Sequence, residues 1–345
     1  MAGARATTSS LTRCTGLLTA GRGRVPEEPA RILVCAIGYL GDTVLSLPFL
    51  EALRQRWPSC QLEVWCAPRC RELFEGLQLH RVLVSGAVPA DRTRETGRPW
   101  SARQALLGEL RRRRYDLLAD LSGVPGTTLL SWLAGARCTA GWSDQGLGAC
   151  YDVAVPYDQP GEHLLERRRR LAWALGLPAE GDWHPTLQPG AFPPAGPREG
   201  EQPVLLHVGA GWAAKRWPPV AWGALARLLR DQGHLVQLTC GPGESPLLQA
   251  AREAAGLPLA GSRPSRSLGE LVQRLQQARL LVVADSGPAH LAAALGRPVV
   301  ALFGPTDPAR CAPLGPAARA LRSPAACMEQ LTPEAVARFL ATSGG

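Results

Sequence analysis

Short apolar runs alternate with amphipathic segments along most of the chain. Short apolar runs favour buried strands, whereas apolar positions three and four residues apart favour helices with one buried face. Strands and helices that alternate in this way are typical of parallel sheets covered by helices. The pattern therefore predicts an α/β fold.

The first half of the chain carries one set of these elements. The pattern predicts strands at Arg31–Ile37, Leu62–Cys66, Val82–Val84 and Tyr115–Leu121. A helix that ends at Trp57 is predicted after the loop that follows the first strand. Further helices are predicted before the fourth strand and at residues 161–176.

Residues 177–203 have a different texture, dense in Pro and Gly and without periodicity, which is typical of an interdomain linker. The α/β pattern then restarts, with strands predicted at Val204–Val208, Leu235–Cys240, Leu280–Ala284 and Pro298–Phe303. Helices are predicted from Trp217, at 245–255, 267–279 and 287–295, and from Pro333 with Thr332 as the N-cap.

We therefore predict two Rossmann-like α/β/α domains that face each other across a cleft, where ligands bind at the carboxyl ends of strands. The predicted divisions are a disordered basic extension (1–28), a first domain (29–176), a linker (177–203), a second domain (204–326) and a C-terminal helix (327–345).

Charge adds a question about partners. The formal net charge is +9, and Arg111–Arg114 and Arg167–Arg170 concentrate it at the ends of helical patterns. Such runs are either a solvated face with cations near a helix C-terminus or a patch for an anionic partner. No RNA-binding motif or interleaved aromatic residues accompany them. We therefore expect no nucleic-acid partner and favour an anionic lipid surface.

The cysteines and the N-terminal residues bear on location. Ten cysteines include no CxxC pair, and Cys60, Cys66 and Cys70 near His80 fit no common zinc spacing. Residues 1–25 lack the apolar core of a secretory signal, which leaves a disordered or misassigned start, or a transit peptide. No stretch is long and apolar enough to span a bilayer. We expect reduced thiols, no metal site and a cytoplasmic protein.

The loop "IGYLGD" follows the first predicted strand. Gly38 and Gly41 permit a tight turn with close backbone approach. Asp42 falls at the start of the next helix, where it is either an N-cap or a carboxylate that accepts a proton from a hydroxyl nucleophile.

A second loop, "VGAGWAAKRWP", contains Lys215, the only lysine among 38 lysines and arginines. Where arginine has replaced lysine elsewhere, a retained lysine marks a site that needs a compact point charge, unless it is an accidental survivor. The amides of Gly209, Ala210 and Gly211 and the following helix start are typical of an anion site. The loop is not a Walker motif.

The third loop, "DSGPAHLAAALG", opens an apolar helix, and we predict that it shares a diphosphate pocket with the second loop. Its candidate residues are Asp285, Ser286, Gly287 and His290, and "FGPTDP" on the next strand adds Gly304 and Thr306. The segment "GPGESP" is a broken dinucleotide fingerprint, which argues against a dehydrogenase. Its Glu244 is a candidate for a ribose or sugar hydroxyl.

Together these loops resemble the ADP-heptose:lipopolysaccharide heptosyltransferases of glycosyltransferase family 9. The motifs that carry the resemblance are Gly-Asp before a helix with "LSLP", then "KRWP", "DSGPAHLAAALGRP", "FGPTDP" and "CMEQLTPEAV". The resemblance implies a GT-B fold and inverting transfer of a heptose from ADP-heptose to a lipid-linked or glycan acceptor of the lipopolysaccharide inner core. It also implies that the first domain binds the acceptor and the second the donor, in the cytoplasm or at the inner membrane.

The resemblance further implies roles for individual residues. Asp42 would be the base, Lys215 and the amides of Ser286 and Gly287 would stabilise the departing diphosphate, and Asp285 would contact sugar hydroxyls or orient Lys215. No metal or cofactor is implied, and no DxD motif is present. The chain departs from the family at Gly211, where a hydroxyl residue is usual, and at Ala36, where many members have Arg. A family member with another donor or acceptor, and a non-catalytic nucleotide-sugar-binding module, are the alternatives.

Overall fold

The structure is a computed structural model that describes residues 24–84, 100–145, 148–187, 190–193 and 202–342. The described strands form two parallel sheets, each covered by helices. This confirms the predicted α/β class.

The first sheet has six parallel strands in the order β3-β2-β1-β4-β5-β6. They are β1 (Arg31–Ala36), β2 (Gln61–Cys66), β3 (Arg81–Val84), β4 (Leu117–Asp120), β5 (Cys138–Trp142) and β6 (Val153–Val155). This is a Rossmann-type order, in which the connections change direction between β1 and β4. The loop after β1 therefore opens at the crevice where such sheets bind ligands.

Helices bury both faces of the first sheet, which is why β1 is an almost unbroken apolar run. Ile32 and Val34 share a core with α2, whereas Leu33 and Cys35 pack with α4 on the opposite face. The helices are α1 (Leu40–Val44), α2 (Leu47–Arg56), α3 (Arg71–Glu75), α4 (Trp100–Arg113), α5 (Pro125–Leu133) and α6 (Leu164–Ala174).

The second sheet has five parallel strands in the order β11-β10-β9-β7-β8. They are β7 (Val204–His207), β8 (Val236–Thr239), β9 (Leu280–Ala284), β10 (Val299–Phe303) and β11 (Ala318–Arg322). The helices are α7 (Pro219–Asp231), α8 (Ser245–Ala255), α9 (Leu268–Gln277), α10 (Gly287–Ala294), α11 (Pro308–Cys311) and α12 (Pro333–Thr342). In this sheet too, the connections change direction between two neighbouring strands, here β7 and β9, so the loops after these strands meet at one edge.

All eight predicted strands form, each within two residues of its predicted bounds. Thr332 caps α12 as predicted, because its Oγ1 accepts a hydrogen bond from Ala335 N at 3.2 Å. The predicted helix through Trp57 is two helices, and the one predicted from Trp217 begins at Pro219. The sequence patterns missed α3, α5, β5, β6, α11 and β11.

The predicted linker contains no helix or strand in its described part. It is nevertheless packed: Leu177 and Trp183 join the core of the first sheet, and Leu187 and Phe192 join a core of the second. Leu187 N also donates to Ala294 O at 2.8 Å. The chain therefore passes from one core to the other in this segment, although the exact domain boundaries stay a prediction.

The two α/β units also contact each other directly. Val44 and Leu47 from the first unit share an apolar core with Leu291 of α10. Gly269 N donates to Glu72 Oε2 at 2.6 Å. Val44 thus packs α1 against α10, and Glu72 joins α3 to α9. Among the described helices, none has both the length and the apolar composition to cross a membrane.

Candidate active site

The loop after β1 brings Gly38, Gly41 and Asp42 to the switch point of the first sheet. Its start is tied to the end of β4, because Ile37 N donates to Ser122 Oγ at 2.9 Å. Tyr39, not Asp42, occupies the N-cap position of α1, and Asp42 lies in the first turn of the helix. The N-cap interpretation of Asp42 is therefore wrong.

The Asp42 carboxylate is paired with two arginines of α6. Arg167 Nη2 lies 2.9 Å from Asp42 Oδ1, and Arg168 Nη2 lies 3.4 Å from the same oxygen and 2.9 Å from the Asp42 carbonyl oxygen. Burial raises the pKa of Asp42, but these two guanidinium groups outweigh burial, and its pKa is lower than usual. Asp42 is therefore a carboxylate held in its ionised form.

This pairing corrects the prediction for Arg167–Arg170. The run lies in the middle of α6, not at its end, and Arg167 and Arg168 are only 4% and 1% exposed. Neither is available as a solvated face or a membrane patch. The other run does end a helix, α4, as predicted.

Lys215 lies on a short turn after β7 and points at the end of β9. Its Nζ is 2.7 Å from Asp285 Oδ2, and Thr306 Oγ1 donates to the same oxygen at 2.6 Å. Asp285 is 6% exposed, so this carboxylate depends on both partners. Three predicted site residues from three separate loops thus form one hydrogen-bonded cluster. Lys215 Nζ also lies 4.9 Å from the ring centre of Trp212, which is 60% exposed.

The glycine loop before Lys215 has two different environments. A Cβ at Gly209 would collide with the carboxylate of Glu244, whose Oε2 accepts a hydrogen bond from Gly241 N at 2.9 Å. Ala210 is buried, and its carbonyl oxygen accepts from Arg216 Nε at 2.9 Å. Gly211 has open space around its Cβ position. The loop therefore brings Glu244 to the sheet edge and leaves room beside residue 211.

The helix α10 begins directly after Asp285. Ser286 is its N-cap residue, but the Ser286 side chain donates to Ala284 O at 2.9 Å and does not cap the helix. The first-turn N–H groups of a helix have no partner within the helix, and they form a positive site for an anion. On the adjacent strand end, a Cβ at Gly304 would lie 2.7 Å from Met328 Cγ, so this position has no room for a side chain.

His290 lies in the next turn of α10 and is 7% exposed. Its Nδ1 is buried without a hydrogen-bond partner in the described part of the chain. Burial lowers the pKa of His290 to about 4, although Asp285 acts in the opposite direction. The imidazole is therefore neutral at neutral pH.

Glycines allow α1 and α10 to touch. A Cβ at Gly287 would lie 2.6 Å from Leu40 Cβ and 3.0 Å from Gly41 N, and a Cβ at Gly41 would lie 3.0 Å from His290 Cδ2. A side chain at either position would push the two helices apart. This contact holds Asp42 beside the cluster of Lys215, Asp285 and Thr306.

Sequence patterns missed three residues of this site: Arg167, Arg168 and His163. His163 Nδ1 accepts from Leu165 N at 3.1 Å as the N-cap of α6, and its Nε2 lies 2.9 Å from Ala312 O in the other unit. Burial lowers the pKa of His163. A run of four arginines is typical of a solvated surface, so it does not indicate a buried site. A single histidine belongs to no recognisable motif, so it does not indicate a site either.

The arrangement combines an ionised carboxylate with positively charged groups. The contact of α1 with α10 brings an ionised carboxylate of one unit to a helix N-terminus of the other, and that helix directly follows Asp285, the partner of Lys215. Such a pair suits displacement at a carbon whose leaving group is an anion. Within the described residues, no group of three or more His, Cys, Asp and Glu side chains is placed to hold a metal ion. The cysteines of the described part are free thiols.

The chain is similar in sequence to known proteins. The family model for "Glycosyltransferase family 9 (heptosyltransferase)" matches residues 103–338. The lipopolysaccharide heptosyltransferase 1 of Pseudomonas aeruginosa is 31% identical over 294 residues, which cover 81% of this chain and 79% of that protein. The lipopolysaccharide heptosyltransferase 2 of Escherichia coli is 29% identical, covering 85% of this chain and 88% of that protein.

A solved structure has the same architecture. The E. coli ADP-heptose lipopolysaccharide heptosyltransferase II superposes with a TM-score of 0.74 at 25% identity, covering 91% of this chain and 98% of that chain.

Proposed function

The chain belongs to glycosyltransferase family 9, with a GT-B fold, and we propose that it transfers a heptose from ADP-heptose to the lipopolysaccharide inner core with inversion. One observation carries the proposal: the contact of Gly41 with Gly287 brings the ionised Asp42 carboxylate to the N-terminus of α10, which directly follows Asp285 of the Lys215–Asp285–Thr306 cluster. The relatives named as lipopolysaccharide heptosyltransferases support the choice of sugar and acceptor.

In the proposed reaction Asp42 is the general base. An acceptor hydroxyl gives its proton to the Asp42 carboxylate while its oxygen forms a bond to the anomeric carbon. The bond between that carbon and the diphosphate breaks, and the nucleotide leaves with the electron pair. Attack from the side opposite the leaving group inverts the anomeric configuration.

The donor diphosphate is proposed to lie at Lys215 and the N-terminus of α10. Lys215 supplies a point charge, and the amides of Ser286 and Gly287 supply hydrogen bonds to an anion whose charge grows as the bond breaks. Asp285 holds Lys215 in place through the 2.7 Å contact. With these donors present, the proposed chemistry needs neither a metal ion nor another cofactor.

Further donor contacts follow from the same sheet edge. Glu244 stands at the start of α8, where its carboxylate can accept hydrogen bonds from ribose hydroxyls. His290 is a neutral, buried residue of α10, so it fits a hydrogen bond to the donor better than a charge contact. Gly209, Ala210 and Gly211 offer backbone groups in place of the hydroxyl that is usual at residue 211.

We further propose a cytoplasmic enzyme that touches the anionic inner membrane through the end of α4. Arg112 and Arg114 are exposed there, and Arg111 Nε donates to Leu133 O at 2.8 Å, beside the 53% exposed Trp132. Exposed cations with an interfacial Trp suit an anionic lipid surface. Sedimentation with phosphatidylglycerol vesicles, but not phosphatidylcholine vesicles, would support this, and an Arg112→Glu/Arg114→Glu variant should stay in solution.

Asp42→Asn tests the proposed function most directly. The variant should lose transfer from ADP-heptose to a heptose-free inner-core acceptor, while its ADP affinity by calorimetry stays within about twofold because Asp42 does not belong to the donor cluster. Wild-type turnover in this variant would rule out Asp42 as the base.

A donor screen separates the two alternatives. Melting temperatures with ADP-, GDP- and UDP-sugars identify the nucleotide, since a ligand that binds only the folded state raises its apparent stability. A family member with another donor would shift with a different sugar nucleotide. A non-catalytic module would bind the donor but release no ADP with any acceptor offered.

A further inference from the structure

Helix α6 contributes two consecutive arginines whose charges are buried. Arg167 is 4% and Arg168 is 1% exposed. A buried cation is costly unless it is paired and hydrogen-bonded. A fold without a use for these charges would carry apolar side chains at the inward positions of an amphipathic helix. The burial of the two guanidinium groups therefore needs a physical explanation.

Both arginines act on the same small part of Asp42. Arg167 and Arg168 each approach Oδ1, at 2.9 and 3.4 Å, and Arg168 also holds the Asp42 carbonyl oxygen at 2.9 Å. Oδ2 accepts no hydrogen bond from the described residues, and the Asp42 side chain is 37% exposed. Three contacts thus fix one oxygen and the backbone, and they leave the other oxygen on the open side.

Other contacts make the arginine pair rigid. Arg167 lies over the Tyr157 ring at 4.0 Å from its centre, and Arg168 Nη1 donates to Leu164 O at 3.2 Å. His163 caps the N-terminus of the same helix. The orientation of both guanidinium groups is therefore set by packing before any substrate arrives, as precise placement of a reacting group requires.

We propose that Arg167 and Arg168 are positioning residues that hold the Asp42 carboxylate in one orientation and present Oδ2 as the proton-accepting atom. This inference rests on the proposed function, because it assigns the oxygen that receives the acceptor proton. The arginines touch neither the donor cluster nor the reacting carbon. Arg167 Nη1 also lies 4.0 Å from Asp158 Oδ1, and in the proposed reaction both arginines act through Asp42.

The pairing also has an electrostatic effect that a merely structural contact would not have. The groups that face Asp42 are Arg167 and Arg168 from α6, His290 from α10 and the Cys70 thiol. Of these, only the two arginines are charged at neutral pH, because the pKa of His290 is about 4 and burial raises the pKa of Cys70. Removal of either arginine should therefore raise the pKa of Asp42 and favour its protonated form.

The test compares Arg167→Met and Arg168→Met with the lysine substitutions at both positions. Arg169→Met is the matched control, because Arg169 is the next residue of α6 and pairs with Glu166 instead of Asp42. ADP release from ADP-heptose with a heptose-free inner-core acceptor is followed from pH 4.5 to 9, together with ADP affinity.

We expect kcat to fall about tenfold to a hundredfold in each Met variant, while KM for ADP-heptose stays within about twofold. The acidic limb of the kcat profile should move up by about one pH unit. The Lys variants should keep the acidic limb in place, because the charge remains, but recover kcat only in part, because lysine cannot make the paired contacts. Arg169→Met should match the wild type.

Two results would overturn the inference. One is an acidic limb that does not move in either folded Met variant. The other is an equal loss in Met and Lys variants with a parallel loss of ADP affinity, which indicates a structural role only. If a Met variant does not fold, the Lys variant at that position decides: wild-type kcat, or a loss of kcat with a parallel loss of ADP affinity, would overturn the inference. Asp42→Asn separates the two proposals. A fully active Asp42→Asn removes the base assignment itself. An inactive Asp42→Asn, together with an unmoved acidic limb in the Met variants, removes only the arginine role.

Discussion

Replacement of Lys215 by arginine and by alanine should separate two tasks of this side chain. In the described structure, Lys215 Nζ contacts Asp285 Oδ2 at 2.7 Å, and Thr306 Oγ1 occupies the same oxygen at 2.6 Å. Lysine compensates the charge of a buried carboxylate, and in the proposed reaction it also meets the donor diphosphate. An arginine can do the first task, but its planar fork takes up more of the space between Asp285 and the Trp212 ring.

The magnitudes follow from burial. Removing one partner of a buried ion pair costs about 3–5 kcal/mol, and the hydroxyl of Thr306 keeps part of the compensation at Asp285. We therefore expect Lys215→Ala to lower the free energy of unfolding by about 2–3 kcal/mol, and Lys215→Arg by less than about 1 kcal/mol. A charge-assisted hydrogen bond is worth about 1.5–3 kcal/mol, so both variants should bind ADP roughly tenfold to 150-fold more weakly.

Urea unfolding measures the first quantity and calorimetric titration with ADP the second. Arg322→Ala is a suitable control, because it removes a cation of the same unit whose partner Asp307 is half-exposed. Wild-type ADP affinity in Lys215→Arg would refute the requirement for a compact charge. An unfolding free energy within about 0.5 kcal/mol of wild type in Lys215→Ala would refute the dependence of Asp285 on Lys215.

Three further substitutions test the contact between the two units and the buried histidines. Gly287→Ala should lower kcat while the protein stays folded, because the new Cβ meets Leu40 at 2.6 Å and separates α1 from α10; unchanged kcat would contradict this. His163→Ala should lower stability by about 1–2 kcal/mol through loss of the α6 N-cap, with His163→Asn recovering most of it; equal loss in both variants would assign the effect to the Ala312 contact instead. Between pH 6.5 and 4 the folded state binds fewer protons than the unfolded chain, because the pKa of His290 is depressed, so the free energy of unfolding falls as the pH falls. His290→Gln should reduce that fall by about 3 kcal/mol. A urea midpoint that depends on pH as in the wild type would refute this.

The strand-and-loop pattern predicted the parts of the fold that the site depends on most. The strands β1, β7, β9 and β10 are buried on both sides and read as continuous apolar runs, so their ends, with the loops of Asp42, Lys215, Asp285 and Thr306, were found from sequence alone. The edge strand β11 was missed because its sequence, Ala-Arg-Ala-Leu-Arg, carries no apolar run and none of its residues is fully buried.

Arginines on α6 show why the rest of the site escaped prediction. A run of four cations on a helix is normally solvated, since burying them is costly. Here Arg167 and Arg168 turn inward because Asp42, 125 residues earlier in the sequence, provides a counter-charge. Nothing local to either segment records that pairing. It becomes visible only when the fold brings α1 and α6 together.

The arginine pair also explains how a carboxylate can serve as a base beside a diphosphate. In the proposed reaction the donor brings negative charge close to Asp42, and a nearby like charge raises the pKa of a carboxyl group. Arg167 and Arg168 oppose that effect and keep Asp42 ionised before the chemical step. As the bond to the diphosphate breaks, negative charge on the leaving group grows, and the proton affinity of Asp42 grows with it. Proton uptake is therefore most favourable when the acceptor oxygen has begun to bond to the sugar, which is the moment at which its proton must leave.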